Sequence, residues 1–99
     1  MVVLRQELGE LLRETRVEQG RTLREVAADA TIAFGYLSEI ERGTKEASSE
    51  LLVAICGALG LTLSELLADL TERVARAEVL AAPVRLPVRD REAARVSAA

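Results

Sequence analysis

The side chains able to do chemistry gather between Arg21 and Glu50, in the stretch RTLREVAADATIAFGYLSEIERGTKEASSE. Its apolar spacing fits two short helices. Val26, Ala27, Ile32, Leu37 and Ile40 would point inward and lock them together, and the small Ala27 would let the second helix cross close over the first. The opposite face of the second helix then carries Phe34, Gly35, Ser38 and Glu39, with Arg42 and Lys45 just beyond it. That set suits recognition rather than bond making. A helix of this size enters the major groove of DNA, where base edges present distinct donor and acceptor patterns.

Phe34 and Tyr36 are the only aromatic residues of the chain. Positions i and i+2 do not share a helix face, so at most one ring is fully core. Two readings stay open: both rings pack on the edge of a bundle, or one of them meets DNA. In the second, Phe34 would lie against a thymine methyl, or the Tyr36 hydroxyl would reach a phosphate or base.

Other chemistries are poorly served. Histidine is absent, which removes the commonest general base and the histidine-containing zinc sites. The single cysteine, Cys56, lies in the apolar run Leu51 to Leu59 and reads as a buried structural thiol. One cysteine closes no disulfide within a chain, a usage that fits a reducing cytoplasm. There is no Gly-rich phosphate loop and no evident nucleophile–base pair, so an enzyme is not expected; neither a cofactor nor a metal site is expected. The longest uncharged run, Leu51 to Ser64, spans 14 residues and contains Gly57 and Gly60, too short for a bilayer. No targeting segment is visible at the N-terminus.

A chain of 99 residues, 49% hydrophobic and 29% charged, has the balance of one globular domain. With only 2% aromatics the core must be Leu, Val, Ile and Ala, which favours helix packed on helix. The net charge of −3 argues mildly against nucleic acid. The split is more telling: residues 1–70 carry 7 Lys/Arg against 12 Asp/Glu, a balance of −5, and residues 71–99 carry 6 against 4, or +2. Any DNA-facing surface must be a local basic patch, with acids on other faces.

The frame for these side chains is an all-α, five-helix bundle. The first helix is predicted from Val3 to Gln19, with Leu4, Leu8, Leu11, Leu12 and Val17 as its apolar stripe and Gly20 as its stop. The second follows Thr22, whose spacing to Glu25 makes a capping box, and buries Leu23, Val26, Ala27 and Ala30. A short break at Thr31 to Ala33 leads to a third helix from Phe34 to Glu41, ending at Gly43. So tight a joint predicts the roughly perpendicular helix-turn-helix arrangement. Ser48 caps a fourth helix, Ser49 to Leu59, ended by Gly60. Thr62 and Glu65 form a second capping box that opens the fifth.

Gly35-Tyr36-Leu37-Ser38-Glu39-Ile40-Glu41-Arg42-Gly43 closely resembles the recognition segment of the XRE (phage-repressor-like) helix-turn-helix family. GRTLREV at Gly20 to Val26 and GYLSEIERG followed by KEASSELL resemble, more narrowly, the actinobacterial clp-gene regulators, which control Clp protease and other protein-quality genes. The likeness runs over about residues 5–70. It implies a DNA-binding transcriptional regulator. It also implies roles by position: Ala33, Phe34, Gly35, Tyr36, Ser38 and Glu39 face base edges or nearby phosphates, and Arg24, Arg42 and Lys45 hold phosphates. The acid at Glu41 is expected to pair internally with Arg16 near the end of the first helix. Three positions depart from the pattern. Ala33 replaces a capping Ser or Thr, Thr44 stands where the clp regulators commonly carry a basic residue, and Thr31 occupies a turn position where many relatives have Gly.

The fifth helix is expected to run from Leu63 to about Ala81. Leu63, Leu67, Leu70, Val74, Ala77 and Ala81 are spaced 4, 3, 4, 3, 4, an a/d seam over nearly three heptads. The helix either folds back on its own domain or pairs with a second copy; a homodimer suits a palindromic operator. The domain organisation expected is a DNA-binding domain over residues 1–62, a dimerisation helix over 63–82 and a flexible tail over 83–99. The tail contains Pro83 and Pro87, room for a short helix within 90–97, and a small apolar end, Val96 to Ala99. By resemblance that end is a candidate degron for Clp protease. The partners expected are double-stranded DNA and a second copy of the chain, with RNA polymerase and Clp protease as further candidates, no membrane, and a cytoplasmic location. The competing reading is an antitoxin-like helix-turn-helix protein whose tail wraps a partner protein.

Overall fold

Local sequence signals set where each helix begins and ends. In the computed structural model, which describes residues 1–81, five helices follow one another: α1 (Leu4–Glu18), α2 (Leu23–Ala30), α3 (Phe34–Arg42), α4 (Ser49–Leu59) and α5 (Leu63–Ala81), with no strand among the described residues. Thr22 accepts from the Glu25 amide while the Glu25 carboxylate accepts from the Thr22 amide, so two otherwise orphaned donors are satisfied reciprocally. Thr62 and Glu65 repeat the device at α5, and Ser48 caps α4 through the Leu51 amide. Expected and observed ends differ by a residue at α1 and α3. The expectations placed on residues 82–99, tail, short helix and degron, lie outside the described residues.

The turn between α2 and α3 is made by Thr31, in the left-handed region at φ 58°, the only non-glycine residue with positive φ among those described. A β-branched residue is strained there. The turn is nonetheless held by amides that donate back to α2: Thr31 to the Ala28 carbonyl and Ile32 to the Ala27 carbonyl.

The core is aliphatic. Leu8, Leu12, Val26, Ala27, Ala30, Leu37, Ile40, Ile55, Cys56, Leu59, Leu66 and Leu70 form one buried cluster. Helix α1 packs on α3 and α5, and α2 packs on α3 and α4. Cys56 is buried in this cluster, and burial pushes its thiol pKa up. Two members of the stripe expected on α1 do not join it: Leu4 and Val17 are exposed. Leu4 sits in the first turn of α1 and Val17 in the last.

The expected α5 seam is divided. Leu70 is buried in the chain's own core and Val74 packs against it. The most buried residue of the helix is Leu66, which the 4-3 spacing leaves out. Leu63 and Leu67 stay exposed, at 38% and 48%, Ala81 is exposed and Ala77 half-buried. Two apolar stripes overlap on α5, and packing against α1 selects the one through Leu66 and Leu70. Arg73 reinforces that choice. Its guanidinium donates to Glu7, Glu10 and Glu14 of α1 at 2.7–3.2 Å. The Arg73 pKa is raised, first by its bond to Glu14 and then by that to Glu10. No single helix among the described residues is long and apolar enough to cross a membrane.

Candidate nucleic-acid interface

Helix α3 is fixed from behind. Its inner face gives Leu37 and Ile40 to the core and Glu41 to a buried ion pair. Arg16 Nε donates to one Glu41 oxygen at 2.8 Å and an Nη donates to the other at 3.0 Å, with the two side chains only 14% and 7% exposed. This two-point geometry matches the planar guanidinium fork. The second Nη of Arg16 donates to the Arg21 carbonyl at 2.9 Å, which ties the pair to the loop that enters α2. The bond to Glu41 is also the main cause that holds the Arg16 pKa above its ordinary value.

Two glycines allow α1 to come this close. A Cβ at Gly9 would fall onto the Ile40 carbonyl and lie 2.6 Å from that of Glu41. Gly43, at φ 80°, ends α3, and a Cβ there would lie 2.9 Å from the Gln6 Cα. Arg5 Nε donates to the Gly43 carbonyl at 2.9 Å and closes the same seam.

The outer face is open by contrast. Ala33 stands at the N-cap and makes no side-chain cap, and α3 has no acid in its first turn, whereas α1, α2, α4 and α5 each have one. The early amides of a helix have no intrahelical acceptor, and the helix dipole favours an anion beside them. Phe34 is 41% exposed, and nothing stands within 4 Å of a Cβ built on Gly35. Ser38 and Arg42 lie one turn apart along this face, joined by a 3.0 Å hydrogen bond from an Arg42 Nη to the Ser38 hydroxyl. Lys45 is exposed in the following loop. Among the described residues neither Arg42 nor Lys45 is in an ion pair, whereas Arg16, Arg21 and Arg73 are.

The structure brings Arg24 to this face as well. Its guanidinium carbon lies 4.4 Å above the centre of the Phe34 ring, so α2 and α3 present one joined patch. No sequence signal announces that stack, because the two residues belong to different helices.

Two expected site residues sit differently from the rest. The Tyr36 ring packs against the core and its hydroxyl donates to the Glu46 carbonyl at 3.0 Å, so it lies away from the outward face formed by Phe34, Gly35, Ser38 and Arg42. Of the two aromatics the structure therefore turns Phe34 outward and Tyr36 inward. Glu39 is half-buried, and its carbonyl accepts from the amide and the hydroxyl of Thr44. Thr44, which replaces a basic residue, thus closes the C-terminal end of α3. Among the described residues no group of acidic and cysteine side chains is arranged to hold a metal ion.

Comparison with known proteins gives this geometry its context. The helix-turn-helix family matches residues 12–66. The transcriptional regulator ClgR of Mycobacterium tuberculosis is 60% identical over 79 residues, which cover 80% of this chain and 70% of that protein. The HTH-type transcriptional regulator DdrOP3 of Deinococcus deserti is 42% identical over 60 residues, 61% of this chain and 46% of that one. A crystal structure of the clp gene regulator ClgR from Corynebacterium glutamicum is 46% identical with a TM-score of 0.68, over 73% of this chain and 94% of that one. The restriction-modification controller protein C.Esp1396I, at 20% identity and a TM-score of 0.71, over 77% of this chain and 99% of that one, shares the fold. The chain belongs to the XRE-type helix-turn-helix family, among the transcriptional regulators of ClgR type.

Proposed function

We propose that this regulator binds double-stranded DNA as a homodimer on a palindromic operator and controls Clp protease and other protein-quality genes. The observation that carries the reading is the contrast across α3: a helix pinned from behind by Arg16–Glu41, with an uncapped, acid-free first turn and an exposed face in front. Ala33, Phe34, Gly35 and Ser38 supply that face, with Glu39 at its margin. Arg42 and Lys45, free of acidic partners among the described residues, take backbone phosphates. A patch of this kind offsets a chain whose net charge is −3. Tyr36 acts indirectly, by fixing the loop after α3 through the Glu46 carbonyl.

The second copy meets the part of α5 that the domain leaves uncovered, Leu63 and Leu67 with the edge of Val74. Pairing there doubles the phosphate contacts and sets two recognition helices about one DNA turn, ~34 Å, apart. The similarity to proteins named as clp gene regulators supports the target genes. The surroundings are then the cytoplasm.

The test is selection of genomic fragments by the purified protein at two salt concentrations, followed by sequencing. The expected result is an inverted repeat with half-sites about ten base pairs apart, upstream of protease or chaperone genes. Enrichment without a sequence pattern, lost at the higher salt, would overturn the operator and leave backbone binding alone.

A further inference from the structure

The geometry points to Arg24 as a base-reading residue held in place by Phe34, rather than one of several cations on the phosphate backbone. The inference rests on the DNA-binding reading above and extends it to a residue of α2, outside the recognition helix. Family resemblance assigns Arg24 to a phosphate. Its position in the fold says otherwise. Arg24 is on the first turn of α2 and Phe34 is the first residue of α3. The guanidinium carbon nevertheless lies 4.4 Å over the Phe34 ring. The charge is thereby drawn to the tip of the recognition helix, the end that reaches base edges in helix-turn-helix docking.

Stacking decides what the guanidinium can do there. A cation over a ring uses its flat face and leaves its five N–H donors in the plane free. A free arginine fork reads guanine through O6 and N7 in two hydrogen bonds. A phosphate is a near-isotropic acceptor and tolerates a swinging side chain; a base pair discriminates only against a fixed one. Phe34 supplies that fixity. Its exposure, 41%, is otherwise unexplained for the wholly apolar one of two aromatic rings available to a small aliphatic core. No acid is paired with Arg24 among the described residues. Glu25 beside it is engaged in the α2 capping box. Phe34 is thus a positioning residue, and the pair works as one reader made from two helices.

The test uses the full chain and the operator it selects, with each operator position randomised in turn. The wild type should prefer guanine at one position of each half-site. R24A should lose that preference, by between about fivefold and a hundredfold, while other positions keep theirs and the salt dependence of binding stays the same. Phe34→Leu keeps apolar bulk and removes the ring face; it should flatten the same position, and Phe34→Tyr should restore it. Both residues are at the surface, and a thermal melt checks that each variant remains folded. If R24A instead weakens binding to all sequences alike and lowers the salt slope by about 1, Arg24 is a phosphate clamp and the proposal fails. If Phe34→Leu leaves the guanine preference intact, the positioning role fails. A wild type that selects no sequence at all overturns the DNA reading itself, a different result from either.

Discussion

The two faces of α3 are built by opposite rules. Behind it, α1 approaches so closely that only glycine fits at positions 9 and 43, and the polar groups that enter the contact are paired: Arg16 with Glu41, Arg5 with the Gly43 carbonyl. In front, the first turn is uncapped, Phe34 is exposed and Gly35 leaves open space. A reader of DNA needs both. The front stays unsatisfied so that another molecule can satisfy it, and the rear is over-determined so that the helix does not shift when that happens.

Substitutions can break either side of this contrast. The largest effect should come from Gly9→Ala, whose Cβ would strike the Ile40 and Glu41 carbonyls. Backbone atoms cannot move aside as a flexible side chain would. A loss of about 3 kcal/mol, at the upper end for overpacking, should lower the melting temperature by roughly 12 °C or more; a melt within two or three degrees of wild type would show that α1 and α3 can slide apart cheaply.

Arg16→Ala should come next. It strands Glu41, 7% exposed, without its partner. Leaving a buried charge unpaired costs about 3 kcal/mol, so chemical denaturation should shift to lower midpoints and DNA binding should fall only in step with folding. Unchanged stability with lost binding would move Arg16 from the rear of α3 to the front.

Ala33→Ser sharpens the front. A side-chain cap added to α3 should contribute about 1 kcal/mol of stability, read as a melting point several degrees higher. It also places a hydroxyl where the first-turn amides now face outward, so operator affinity should change as well. Affinity that ignores the substitution would mean those amides take no part in binding.

The smallest effect concerns a region away from DNA. Arg73 holds the Glu14 carboxyl below its usual pKa, chiefly by hydrogen bonding, with the charges of Arg73, Arg76 and Arg13 adding to it. A depressed carboxylate stabilises the fold above its unfolded pKa, and that contribution is lost as pH falls through the folded value. Stability should therefore decline below about pH 4.3, the ordinary glutamate value, and Glu14→Gln should make the decline shallower. Glu14 is exposed, so solvent screening keeps the effect slight. An identical acid limb in the two proteins would remove Glu14 from the account.

Much of the frame is legible in the residue order, because helix ends are decided within one turn. Thr22 with Glu25, Thr62 with Glu65, and Ser48 each satisfy amides three residues away, and the structure contains all of these caps. The recognition segment is legible for a similar reason. Its inward residues follow helical spacing, so its outward residues are the remainder. That Phe34 and Tyr36 cannot both be core also follows from spacing alone; which one turns inward does not.

What residue order leaves open is long-range. The bonds from Arg73 to α1 join residues 59–66 positions apart. Arg16 and Glu41 are 25 apart, and here only likeness to a family suggests the pair. The a/d seam on α5 is a real periodicity, yet Leu66 and Leu70 win the core because α1 lies on that side and Arg73 fastens it there. Thr44, read as a missing cation, proves to be the hydroxyl that closes α3.

By itself the sequence determined the five helices of the described residues, their caps and the outward face of the third, because each depends on neighbours within a turn or two. The tertiary structure alone decided which stripe of α5 is buried, that Tyr36 turns inward, and that Arg24 of α2 rests on Phe34 of α3. Those outcomes depend on how close two distant backbones can come, and that distance is set by packing, through a glycine at position 9 and carbonyls at 40 and 41.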